Sequence, residues 1–382
     1  MRDEERTVVV FSGGGTGGHL YPALFLAEAL VERRPDVRPV FVGAQRGIEA
    51  RVLPTRGVEH VLVPALGFER GARLSNWKVV PRLIRSLAGV AELYQRLRPE
   101  LVVVTGGYAG APAGAVAVLR GVPLALQEQN AVPGVTTRWL APFARQVHVA
   151  YPEARERLPA RARPKVILSG NPVRLPTAGD RSEARRSLEV PLTGTLVLVV
   201  GGSQGSQALN RAVLEAVAAV TKGDLPLPVD LDLLWSTGPA HLADVRAALR
   251  EVGLPAWVRT VGYLEHMELA LAAADLAVSR AGAMATSEFL AWGLPSLLVP
   301  LPTAAAPMAN LDGPRLWGAV LDAVSDPARL LERRRAALSR GRPDAARQIA
   351  AALDALLPPA SGGSSVAASP TTDALRRPGA GA

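Results

Sequence analysis

Four glycine-rich stretches hold most of the side chains that could do chemistry. They are "SGGGTGGH" (Ser12–His19), "TGGYAGAP" (Thr105–Pro112), "GGSQGSQALN" (Gly201–Asn210) and "SRAGAMATSE" (Ser279–Glu288). Each follows a short apolar run, so each reads as the turn after a strand. A glycine turn that feeds a helix points backbone N–H groups at an anion, and the helix terminus adds about 0.3–1 kcal/mol per exposed interaction. Two such loops in each half suit a phosphorylated ligand approached from both sides of a cleft. A single loop of this kind is equally well a tight turn with no ligand. Four of them, each carrying Ser, Thr, His or Glu, weigh toward a ligand.

His19 closes the first loop. Pro22 suits the first turn of a helix, which puts His19 at the helix mouth as a candidate general base. A histidine that only bonds its own loop has the same spacing. His60, His148, His241 and His266 show no metal-ligand pattern, and "DLD" at Asp230–Asp232 reads as a strand entry. Gly13, Gly15 and Gly18 satisfy the dinucleotide fingerprint G-x-G-x-x-G. That reading also needs an acid at the end of the second strand, where the chain has Gly43, Ala44, Gln45 and Arg46. Glu49 falls late, on the next helix, so a nicotinamide oxidoreductase ranks last.

The elements that must position these loops follow from periodicity. Short apolar, β-branched runs alternate with helix-length segments: Thr7–Phe11, Val37–Val42, Val58–Val63, Leu101–Val104, Val122–Leu126, Gln146–Val149 and Lys165–Leu168. A second series starts at Thr195–Val200 and continues with Val229–Trp235, Val258–Gly262, Leu276–Ser279 and Ser296–Val299. Pro22–Arg33 and Val79–Leu97 are helix-length segments between them. Continuous apolar strands alternating with helices predict parallel sheets of βαβ type. The expected fold is α/β, with two Rossmann-like domains joined near Asn171 and their sheets facing across a cleft. The expected divisions are 1–168, 169–342, an amphipathic terminal helix in 343–358 that docks on a domain surface, and a disordered tail over 359–382.

Composition narrows the classes. The 382 residues include 43 Lys and Arg against 34 Asp and Glu, a net charge of +9. The excess suits an anionic partner: nucleic acid, a phosphorylated ligand or a lipid headgroup. There is no cysteine, so disulfides, thiolate metal sites and cysteine nucleophiles are excluded. The N-terminus lacks a signal-peptide pattern, and no apolar run approaches the ~20 residues that span a bilayer.

The stretches "GGGTGGHLYPA", "TGGYAGAPAGAVA", "EQNAVPG", "GNPVR", "GGSQGSQALN" and "SRAGAMATSEFLAWGLPSLLVPLP" together resemble the MurG family. These are the bacterial UDP-N-acetylglucosamine–N-acetylmuramyl-(pentapeptide) pyrophosphoryl-undecaprenol N-acetylglucosamine transferases. The motifs fall in family order from Val8 to about Pro302. The resemblance implies a GT-B fold and inverting transfer of GlcNAc from UDP-GlcNAc to the C4 hydroxyl of MurNAc in lipid I. The products are lipid II for peptidoglycan, and UDP. It implies His19 as the base, and Thr16, Gly17, Gly18, Gly106, Gly107 and Tyr108 as loops for the acceptor diphosphate. Asn130 matches a sugar contact in the cleft. Arg174, Ser203 and Gln204 match the donor-diphosphate region, Leu264 the uracil contact and Glu288 the carboxylate on the ribose hydroxyls. It implies no cofactor and no nucleic acid. Divalent-cation stimulation and cell-wall synthesis proteins as partners stay open. The expected location is peripheral, on the cytoplasmic face of the cell membrane.

The chain departs from the family pattern in two places. "WSTG" (Trp235–Gly238) begins with tryptophan where the family has histidine. After Pro302, "TAAAPMANLDGPRLWGAVLDAVSDP" replaces the family's H-Q-x-x-N-A segment and following strand, leaving Asn310 as a remnant. Three readings therefore stand: the transferase, a catalytically impaired or dead UDP-sugar or lipid-diphosphate binder, and another GT-B UDP-sugar transferase. For an anionic inner-leaflet surface, "FERGARLSNWKVVPRLIRSLAGV" (Phe68–Val90) offers the stripe Val79, Val80, Leu83, Ile84 and Leu87 beside Trp77, Lys78, Arg82 and Arg85. An amphipathic helix facing the core has the same pattern.

Overall fold

The computed structural model describes residues 6–65, 79–174, 180–300 and 311–360. Residues 303–310, with Asn310, the stretch from Phe68 to Lys78, and the expected tail from Ser361 onward lie outside the described residues.

The first half runs β1 (Thr7–Gly13), α1 (Gly17–Arg33), β2 (Val37–Ala44), α2 (Glu49–Thr55), β3 (His60–Val63), α3 (Val79–Leu97), β4 (Leu101–Gly106), α4 (Gly107–Arg120), β5 (Leu124–Glu128), α5 (Val135–Leu140), β6 (Gln146–Val149), α6 (Pro152–Glu156) and β7 (Val166–Leu168). The second half runs α7 (Arg181–Ser187), β8 (Thr195–Val200), α8 (Gln207–Lys222), β9 (Leu231–Ser236), α9 (Leu242–Glu251), β10 (Val258–Val261), α10 (Met267–Ala273), β11 (Leu276–Arg280), α11 (Ala283–Ala291), β12 (Ser296–Val299), α12 (Gly313–Val324), α13 (Pro327–Arg340) and α14 (Ala345–Asp354). Every predicted strand is present, with ends shifted by at most two residues.

Strand alternation builds two cores per sheet. In β1, Val8 and Val10 face one layer with Val102 and Val104. Val9 and Phe11 face the other, with Leu20 and Leu24 of α1. In β8, Val197 and Val199 pack under α8 and α12, while Leu196 and Leu198 pack on the opposite side with Leu271 and Phe289. A strand buried on both faces needs apolar residues at every position, which is why these runs are continuous.

The sheets have order β3-β2-β1-β4-β5-β6-β7 and β10-β9-β8-β11-β12, and their neighbouring strands pair parallel. The order reverses between β1 and β4 and again between β8 and β11. Ligands of open α/β sheets bind at such reversals, beyond the carboxyl ends of the strands. The four glycine loops are the segments that leave β1, β4, β8 and β11, so the sequence's chemistry is concentrated at the two switch points.

Two local readings are corrected. Helix α1 begins at Gly17, not near Pro22, so Pro22 lies inside the helix. Thr16 is the extended N-cap residue, and its carbonyl accepts from His19 and Leu20 N–H at 3.2 Å each. His19 is therefore a first-turn residue rather than the residue before the helix. Trp235, where the pattern departs from histidine, is fully buried in the second core and donates Nε1–H to Asn210 Oδ1 at 3.1 Å. Its side chain does packing work away from the cleft.

Helix α14 packs on α1, burying Ile349, Ala350 and Leu353 in the core beneath β1. Among the described residues no helix is long and apolar enough to cross a membrane.

Candidate active site

The carboxyl ends of the two sheets enclose a cavity of about 400 Å3. Thr16, Gly17, Gly18, His19 and Asn130 line it from the first sheet, and Arg174, Ser203, Gln204, Leu264 and Glu288 from the second half. Residues up to 272 positions apart in sequence thus share one cleft. Gly106, Gly107 and Tyr108 are not among the residues that line it. They lie against the first loop and shape it. A Cβ on Gly107 would meet Gly14 O at 2.0 Å, and a Cβ on Gly106 would meet His19 Nδ1 at 2.9 Å. The Tyr108 ring covers Gly15.

The His19 ring is oriented from behind. Nδ1 lies 3.0 Å from Thr105 O and 2.9 Å from Gln129 Oε1. Both partners are acceptors, so Nδ1 carries the proton and neutral His19 keeps a bare Nε2. Thr105 also donates its hydroxyl to His19 O at 2.6 Å. The tautomer a base needs is set by neighbours on the other side of the ring.

The opposite wall is charged. Arg174 pairs through Nη1 with Glu268 and stacks its guanidinium 5.6 Å from the Phe25 ring centroid. Its carbonyl accepts from Trp292 Nε1 at 3.2 Å. Glu288 lines the cleft from α11. Burial pushes its carboxyl up to about 7, with Arg174 pulling the other way. Two aromatic contacts bridge the cleft: Tyr21 and Tyr263 share a 2.5 Å hydroxyl hydrogen bond, and Arg51 lies 5.5 Å from the Tyr263 ring centroid.

Residues 9–149 match the glycosyltransferase family 28 N-terminal domain and residues 196–313 the family 28 C-terminal domain, together more than half of the chain. The chain belongs to glycosyltransferase family 28 and, within it, to the MurG family. It is 38% identical over 364 residues to the UDP-N-acetylglucosamine–N-acetylmuramyl-(pentapeptide) pyrophosphoryl-undecaprenol N-acetylglucosamine transferase of Moorella thermoacetica, covering 88% of this chain and 95% of that one. It is equally 38% identical to the transferase of that name from Salinibacter ruber, over 90% of this chain and 95% of the relative. The crystal structure of Acinetobacter baumannii MurG shares the fold, with a TM-score of 0.66 at 23% identity over 91% of this chain and 99% of that one.

As a MurG-family cleft it contains features that the sequence reading missed. Arg280, at the end of β11, lines the cavity and donates Nε–H to Gly201 O at 2.8 Å. An arginine that ends a strand beside a glycine loop is the signal the sequence carries for it. Glu49 is the second. It is the first residue of α2, as expected, but its carboxylate reaches back into the first glycine loop. Oε1 accepts from Gly15 N–H at 2.8 Å and Ala44 N–H at 3.2 Å, and Oε2 is buried without a hydrogen-bond partner. The acid missing from the dinucleotide pattern is thus present in space, bonded to the loop itself. Among the described residues no group of three His, Asp or Glu is placed to hold a metal ion.

Proposed function

We propose that this chain transfers GlcNAc from UDP-GlcNAc to the MurNAc C4 hydroxyl of undecaprenyl-pyrophosphoryl-MurNAc-pentapeptide, releasing UDP. One observation carries the reading. His19, with a bare Nε2, and the group Arg174, Ser203 and Glu288 face each other across a single cavity. In the reaction His19 Nε2 takes the acceptor hydroxyl proton as that oxygen attacks the anomeric carbon. The bond to the UDP oxygen breaks on the opposite face, so the configuration inverts. Charge developing on the leaving diphosphate is met by the Gly202–Ser203 turn, Arg174 and Arg280. Preorganised donors at a developing charge are the large electrostatic contribution to such steps. Glu288 accepts from the two ribose hydroxyls, which a carboxylate can do at once. Leu264 and Asn130 border the uracil and sugar positions. Because Gly15 N–H is already bonded to Glu49, the acceptor diphosphate is met by Thr16 and the first amides of α1.

The acceptor is a polyprenyl lipid, so the enzyme works at a membrane surface. Helices α3, α4 and α5 cover one face of the first sheet. That layer exposes Ile84, Leu119, Trp139 and Phe143, with Arg85, Arg120 and Arg138 also exposed. Apolar side chains among arginines suit an anionic leaflet.

The test incubates the full chain with labelled UDP-GlcNAc and a short-chain lipid I analogue. The expected product is the disaccharide lipid, and His19→Ala lowers its rate by about 10²–10⁴-fold, the usual worth of a general base. UDP-GlcNAc binding without product, or an undiminished His19→Ala rate, overturns the reading.

A further inference from the structure

Behind His19 lies a run of buried amides that no part of the reaction described above uses. Gln129 is the first. Its Nε2 donates to Thr105 O at 2.8 Å, to Gln127 O at 3.2 Å and to Gln127 Oε1. Two of those acceptors are backbone carbonyls, so the amide cannot be turned round without opposing oxygen to oxygen. Its Oε1 must therefore face His19 Nδ1. Gln127 follows the same sense: Oε1 accepts from Gln129, and Nε2 donates to Asn171 Oδ1 at 3.0 Å. Asn171 Nδ2 donates to the carbonyl of Gln129 at 3.2 Å and to Ser287 Oγ at 3.0 Å. Gln127, Gln129 and Asn171 are 1–3% exposed.

The side-chain links share one sense, from His19 Nδ1–H to Gln129, Gln127, Asn171 and Ser287 Oγ. The chain starts in the first domain and ends on α11, one residue before Glu288. Aligned hydrogen bonds in a poorly solvated interior polarise one another. Their common sense also fits the reaction: an imidazole that accepts a proton at Nε2 is stabilised when Nδ1–H already donates to oxygen. We infer that Gln127 and Asn171 are positioning residues for the transfer, holding Gln129 so that His19 stays in the Nδ1–H form with Nε2 turned to the acceptor. The inference rests on His19 being the base.

A purely structural role predicts something different, because buried amides are bonded in any core. The test therefore uses the full chain labelled with ¹⁵N-histidine, in which the two ring nitrogens report the tautomer directly, together with kcat and KM. Gln127→Met keeps the volume and removes both links of the chain. The expected results are a fall in kcat of about two- to tenfold, the net worth of one hydrogen bond between neutral groups, and a mixed tautomer at His19. The KM for UDP-GlcNAc stays within about twofold, since ground-state donor binding does not pass through Gln127. If Gln127→Met does not fold, Asn171→Ser cuts the same chain at its next link and is read in the same way. A lowered melting temperature with an unchanged tautomer and unchanged kcat overturns the inference. Should the wild-type chain make no product, the base assignment itself fails, whereas the tautomer spectra still decide whether the amide chain orients His19.

Discussion

The acid on α11 is the residue whose environment most directly predicts behaviour. Burial raises the Glu288 carboxyl to about 7, while Arg174 in the same wall opposes the rise. If ribose hydroxyls are bound by the ionised form, binding must first ionise the group. Below pH 7 the free cleft holds the protonated acid, and each further pH unit costs up to about tenfold in affinity until the lower pKa of the complex is reached. Above pH 7 the affinity levels off. The dissociation constant for UDP-GlcNAc, measured by calorimetry from pH 6 to 8.5, should fall as pH rises. In Glu288→Gln it should be weaker and flat. A flat wild-type profile removes the carboxylate from the ribose site. A second residue-scale prediction concerns Glu49. Glu49→Ala leaves the Gly15 and Ala44 N–H groups without their acceptor inside the protein, at a cost of about 1–3 kcal/mol. Glu49→Gln keeps an oxygen in that place and should cost less, which denaturant midpoints of the two variants compare directly.

At the scale of elements, α14 shows how a helix distant in sequence becomes part of the first core. Leu353 is fully buried, and Leu353→Ala should lower stability by about 2–5 kcal/mol. The end of the helix is tied by Asp354 to Arg33 and Arg34 at 2.8 and 2.7 Å, and Arg34 also pairs with Asp36 at 2.8 Å. The Arg34 hydrogen bond, helped by Thr7, holds the Asp36 carboxyl down at about 2. Because that folded value is below the ordinary 3.8, the stabilisation is present above the ordinary value and is lost as pH falls through about 2. Asp36→Asn should therefore be less stable than wild type at pH 7, with the difference closing between pH 4 and 2 in acid-unfolding curves. The membrane contact proposed for the layer of α3, α4 and α5 gives another element-scale prediction. Arg82→Glu with Arg85→Glu should weaken sedimentation with anionic vesicles severalfold and leave neutral vesicles unaffected, as surface electrostatics require. Trp139→Ala should weaken both. Unchanged binding in both variants would place the contact elsewhere.

Across the whole molecule, most of the scaffold could be read from residue types, because runs such as Thr7–Phe11 and Thr195–Val200 must be buried on both faces. The glycine loops were legible for the same reason: they mark where such strands stop. The missing parts depended on contacts between distant residues. Glu49 bonds Gly15 across 34 positions, and Gln127 bonds Asn171 across 44. Trp139 and Phe143 belong to a six-residue helix and the turn after it, too short to show an apolar stripe.

The same long-range contacts predict how the two halves unfold. α14 belongs to the first core yet follows the second half in the chain. Gln127 bonds Asn171, and Tyr21 bonds Tyr263, so hydrogen bonds cross between the two halves. A chain tied in this way should melt as one transition, since opening the second half strains the segment that anchors α14. UDP-GlcNAc at 100 times its dissociation constant adds about 2.7 kcal/mol to whatever unit contains its site. Scanning calorimetry should show one peak that moves to higher temperature as a whole. Two peaks, of which only one responds to UDP-GlcNAc, would mean that the cross-cleft bonds and α14 do not couple the halves. Deleting residues 344–360 separates the causes: it should split the peak if α14 is the tie, and should only lower a single peak if the cleft contacts suffice.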